Sequence, residues 1–141
     1  MMNNTDAIEG FQFDIKLPQG ITIAKNNKNV YMATSEDRGK NHSFSIRQRS
    51  DGSYRVLAAS TLSGATFTGN EGIVCSLTLD VAPSVMCTAY PLTLSNIELT
   101  TNKGVDGIKP ANANFKLVIT PIGDANGDFD INIAEDRKSV V

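Results

Sequence analysis

Residues 10–18 read Gly10-Phe11-Gln12-Phe13-Asp14-Ile15-Lys16-Leu17-Pro18. Apolar side chains fall at 11, 13, 15 and 17, with polar ones at 12, 14 and 16. Successive side chains of an extended chain point to opposite faces. A two-residue period therefore specifies a strand with one face in a core and the other in water. Pro18-Gln19-Gly20 ends the strand with turn chemistry, and Ile21-Thr22-Ile23-Ala24 begins a second extended run.

The same signal recurs outward from this stretch. Residues 30–34 form a short strand pattern. Residues 43–49 and 54–59 flank Ser50-Asp51-Gly52-Ser53, and an Asp-Gly turn between two β-prone runs predicts a hairpin. The cleanest alternation sets Ile73, Cys75, Leu77, Leu79 and Val81 against Ser76, Thr78 and Asp80. Tyr90–Leu94 resumes the pattern, and a change of phase around Ser95-Asn96 predicts a β-bulge. After a long loop over 101–114, Phe115, Leu117 and Ile119 read as the core-facing side of a last strand. No helical period precedes the tail. Many short strands between turns specify an all-β sandwich or jelly roll.

Composition narrows the function. The 141 residues suit one ordinary domain, and a net charge of −2 lacks the basic footprint of a nucleic-acid binder. No apolar run is long enough for a membrane span. The start, Met1 to Gln12, has neither the basic nor the apolar part of a signal peptide. There is one histidine, His42, in the polar stretch Gly39-Lys40-Asn41-His42-Ser43, where a solvated ring is expected. One histidine and two cysteines leave little material for a Ser–His–Asp, Cys–His or zinc centre, so a non-catalytic role follows. Cys75 lies on the apolar face of its strand, which favours a buried free thiol over a Cys75–Cys87 disulfide.

The tail has a different chemistry. Counting from Asp124, oxygen-bearing side chains stand at positions 1 (Asp124), 3 (Asn126), 5 (Asp128), 9 (Asn132) and 12 (Glu135). Position 7 is Asp130, which would give its backbone carbonyl, and position 8 is the apolar Ile131. This is the twelve-residue calcium-loop spacing: a hard cation wants six to eight oxygens, and a tight coil turns alternate positions inward. Residues 133–141 would form the helix that follows. Position 6, normally glycine, is Phe129. A left-handed conformation there would cost about 1–2 kcal/mol, so calcium affinity should be reduced.

The segment from Gly123 to Glu135 resembles the first calcium segment of a dockerin. Upstream, Gly10–Pro18 resembles an early core strand of cohesin domains, and residues 54–60 with Thr68–Val74 resemble their central hairpin and turn. The resemblance implies a cohesin-like nine-stranded jelly roll over 1–120, followed by a partial dockerin-like segment over 121–141. It implies a secreted or surface-displayed binding module of a polysaccharide-processing assembly, with dockerin-like protein segments as partners. Such domains normally begin with one further strand, beside the last. Without it the Phe115 strand keeps an open edge, and dimerisation or strand swapping is expected. The related jelly-roll modules that bind polysaccharide are the alternative. They present coplanar aromatics, and only Tyr31, Tyr54 and Tyr90 are candidates for such a platform. A structural spacer is a third reading. Gln12, Asp14, Arg47, Arg49 and Arg55 make up a polar outer face that suits a protein partner or plain solvent.

Overall fold

The computed structural model describes residues 1–101 and 107–121. The five calcium-loop residues Asp124, Asn126, Asp128, Asp130 and Glu135 lie outside the described residues.

Among the described residues nine strands form: β1 (Ile8–Ile15), β2 (Ile21–Ile23), β3 (Ala33–Ser35), β4 (His42–Gln48), β5 (Tyr54–Ser60), β6 (Cys75–Leu77), β7 (Leu79–Val81), β8 (Ala89–Thr101) and β9 (Ala113–Val118). The main sheet is antiparallel, in the order β4-β5-β1-β8-β9. Two short ribbons, β2-β7 and β3-β6, supply the opposing side chains. The core has two adjoining parts. One gathers Ile8, Phe11, Val56, Ala58, Phe67 and Val74; the other gathers Ile15, Ile23, Tyr54 and Leu92. Each such side chain contributes about 1.5–3 kcal/mol when fully removed from water.

The local signals act as expected in several places. Gly52, at φ +82°, turns β4 into β5. The phase change in β8 is a bulge: Gln12 pairs Glu98 but Asp14 pairs Ser95, and Asn96 sits at φ +49°. Asparagine tolerates that left-handed conformation better than most residues.

Three expectations are corrected. The run Ile73–Val81 is two strands, not one, because β6 pairs β3 whereas β7 pairs β2. Val74 enters the core, and Ile73 and Val81 stay exposed. Phe115 aligns with core-facing Leu92, yet it remains 42% exposed because it stands on the last strand of the sheet. His42 is not solvated. It is buried at the start of β4, its Nε2 lies 2.9 Å from the Glu9 carbonyl oxygen, and its ring stacks on Phe67 with centroids 3.7 Å apart. The Cys75 and Cys87 thiols are both free, Cys75 partly buried and Cys87 exposed.

A buried arginine closes the β4 end of the core. Arg38, in a single 3-10 turn at Asp37–Gly39, directs its guanidinium at the carbonyl oxygens of Met2, Thr68, Gly69 and Gly72 and at Asn4 Oδ1. The backbone amides of Met2 and Asn4 also donate to Gly72 and Asn70. The N-terminal segment is thus strapped to the turn that follows Phe67.

Candidate functional site

The outer face of the main sheet is organised by register. One row across it runs Arg47, Arg55, Asp14 and Ser95; the next runs Ser45, Leu57, Gln12 and Glu98. In the last row Ser43 faces Ala59, and Gly10 faces Thr100. The face therefore grades from charged, through one apolar side chain, to small.

The charged row centres on Asp14, only 2% exposed although it points away from the core. Arg55 grips it through both carboxylate oxygens, Nε to Oδ1 at 2.7 Å and Nη2 to Oδ2 at 2.9 Å. Arg49 donates to Oδ2, and Asn96 donates from the bulge to the same oxygen at 2.8 Å. Three strands, β1, β5 and β8, and the turn after β4 thus meet on one carboxylate. Hydrogen bonds from Arg55 hold the Asp14 carboxyl well below the usual carboxylate range, with Asn96 and the two guanidinium charges assisting and burial opposing. Arg47 and Arg55 are directly cross-strand, a like-charge pairing that would repel without the acid between its neighbours. Each of Arg49 and Arg55 keeps over a third of its side chain in water. The cluster presents guanidinium groups that are fixed in place and still accessible.

The middle row supplies Leu57, 41% exposed in the midst of polar neighbours. Beside it a shallow depression of about 330 Å³ lies over Gly10, with Glu9, Gln12, Ala59, Glu98 and Thr100 around it. A Cβ at Gly10 would come within 2.7 Å of the Ala58 carbonyl oxygen, so glycine is required for this close strand approach. Glu98 on β8 stands one row from the arginines and acts on Arg55, and Glu9 lies beside Gly10.

The tyrosines make no shared platform. Tyr54 is core, Tyr31 meets it edge-on, and Lys25 Nζ stands 4.6 Å above the Tyr31 ring. Tyr90, on β8, donates its hydroxyl to the Met86 carbonyl oxygen. His42 faces a carbonyl and a phenyl ring, and among the described residues no acid or hydroxyl converges on it. Among the same residues no cluster of three or more His, Cys, Asp or Glu forms. No helix there is long and apolar enough to cross a membrane.

Sequence reasoning placed Asp14, Arg49 and Arg55 outward but missed their convergence. Cross-strand register brings them together, and the only local hint was the phase change that positions Asn96.

No family model matches the chain, and no curated protein matches it. Solved structures do. A non-cellulosomal cohesin from the hyperthermophilic archaeon Archaeoglobus fulgidus superposes with a TM-score of 0.56 at 18% identity, covering 82% of this chain and 75% of that one. A cohesin module from a Clostridium perfringens family 33 glycoside hydrolase gives a TM-score of 0.51 at 15% identity, covering 84% and 78%. The nearly all-β architecture and these neighbours agree on a cohesin-like jelly-roll β-sandwich.

Proposed function

We propose that this chain is a non-catalytic protein-docking module, and that the outer face of β4-β5-β1-β8 receives the partner. The observation that carries this is the Asp14 cluster. A desolvated acid on an otherwise solvent-facing sheet holds two arginines still, and groups ordered before binding lose less entropy when a partner arrives. Leu57 offers an apolar anchor beside them, and Glu98 and Glu9 set acidic groups on the β8 side and around Gly10. A partner segment with acidic groups toward the arginines and basic groups toward the glutamates fits this polarity. The two neighbours described above are cohesins by description, which supports a protein partner. We take the partner to be a dockerin-like segment and the setting to be extracellular or at the cell surface.

The competing sugar-binding reading is weaker because Tyr31, Tyr54 and Tyr90 do not form a coplanar stacking surface. Titration against dockerin-bearing proteins and against soluble glycans separates the two. The protein ligands should bind, and Leu57→Arg should abolish binding while the fold stays intact. Binding of glycans alone would refute the proposal.

The tail carries a second, sequence-based proposal: Asp124, Asn126, Asp128, Asp130 and Glu135 hold Ca2+ with reduced affinity, Phe129 replacing the usual glycine. Calcium would then order the tail or raise the melting temperature, by about 2.7 kcal/mol of stability at a hundredfold excess over the dissociation constant if the loop and body unfold together. Asp124→Ala should remove that response.

A further inference from the structure

β9 is the last strand of the main sheet, and among the described residues its only strand partner is β8. Its register fixes which backbone groups remain free. Ile119 donates its N–H to the Thr88 carbonyl, and the pairing continues through Leu117 with Tyr90 and Phe115 with Leu92. Hydrogen-bonded and non-bonded pairs alternate along an antiparallel ladder, so Asn114, Lys116 and Val118 direct their N–H and C=O groups away from the sheet. The alignment of Pro91 with Lys116 agrees, since a non-bonded pair needs no proline N–H from β8. The odd-numbered side chains Phe115, Leu117 and Ile119 form an apolar row on the core side, and Phe115 is still 42% exposed. Val118, on the other side, is 49% exposed. Lys116 is the strand's one charge.

We propose that a second copy of this chain covers this edge, through antiparallel pairing of β9 with its own copy about a two-fold axis at Leu117. In that register Lys116 bonds across to Val118 of the other copy, and Asn114 to Thr120. Leu117 meets Leu117, and Phe115 meets Ile119. The free backbone groups are thereby paired and the apolar row becomes continuous across both molecules. The register centred on Lys116 would pair as many backbone groups but would set like charges face to face, which disfavours it. β9 has no acid and a single base, so it offers a charged foreign strand little to recognise, whereas its own apolar row is self-complementary. Leu57, Asp14 and both arginines lie beyond β8 from this edge, so the dimer leaves them open and does not depend on the function assigned to them.

Sedimentation over a concentration series tests the proposal. The wild type should pass from monomer to dimer and no further, because a two-fold contact closes on itself. Val118→Pro removes an outward N–H without touching the bonds to β8. The loss occurs twice per dimer and should raise the dissociation constant by tenfold or more at unchanged circular dichroism. Oxidative cross-linking in a Cys75→Ser/Cys87→Ser background reads the register without relying on that variant: Leu117→Cys should link two copies and Lys116→Cys should not. A wild-type monomer at every concentration, a dimer indifferent to a folded Val118→Pro, or linkage through Lys116→Cys instead of Leu117→Cys would each overturn it.

Discussion

The two edges of the main sheet solve the same problem differently. On β4 the inward residues are covered: His42 is buried against Phe67, Phe44 and Ile46 are half-buried, and Arg38 ties the neighbouring loops together. Ser43, Ser45 and Arg47 face solvent on its other side. On β9 the inward Phe115 remains largely in water and Lys116 is the only charge. A strand edge is a ready template for another chain unless it is covered, charged or bent away. The inward side of β4 is packed, and that of β9 is left partly open.

That contrast can be broken from the β4 side with the largest effects. Phe67 is 3% exposed and stacks on both His42 and Phe11. Phe67→Ala should cost about 3–4 kcal/mol, whereas Phe115→Ala should cost about 1 kcal/mol or less; urea unfolding of both variants compares the edges directly. Equal losses would mean that β9 is packed as tightly as β4. Arg38→Ala should cost about 2–3 kcal/mol, since it leaves several carbonyl oxygens without their donor; melting temperatures check this, and Arg38→Lys should recover little because one ammonium cannot reach five acceptors spread around a guanidinium.

Next comes a pH effect on the covered edge. Burial pushes the His42 imidazole below its ordinary value, with the Glu9 carbonyl partly opposing, and among the described residues Nδ1 has no hydrogen-bond partner. The folded state binds the proton less readily than the unfolded chain. Stability from this group is therefore complete above about pH 6.5 and falls as the pH drops below it. His42→Gln should flatten that segment of the stability profile. Asp14 acts with the same sign at lower pH: its depressed carboxyl contributes stability above the ordinary carboxylate range, lost as pH falls through it. A more modest effect than that of Arg38→Ala is expected for Asp14→Asn, about 1–2 kcal/mol at neutral pH, because both arginines stay partly hydrated. Partner binding should suffer more than stability, since the arginines lose their anchor.

The all-β class was legible because period-two runs at Phe11–Leu17 and around Tyr54 match residues that are buried on alternate sides. The hairpin at Gly52 and the bulge at Asn96 were legible because each needs a particular backbone conformation that the local residues supply. What the sequence concealed depends on partners far along the chain. His42 is buried through Phe67, and Arg38 through carbonyls some thirty residues away in both directions. The Ile73–Val81 alternation could not reveal that its two halves pair with different strands. Periodicity showed which way Phe115 points but not whether anything lies opposite. Of the docking face, the polar identities were readable and the convergence on Asp14 was not, because a one-residue slip of β5 against β1 would dissolve it.

Amide hydrogen exchange, with and without a saturating dockerin-bearing protein, is the most direct trial of the docking face. New protection is expected in β4, β5 and β1, strongest around Leu57 and Asp14, with Tyr31 and Tyr90 unchanged. Protection centred on the tyrosines or on β9, or none anywhere, would contradict it.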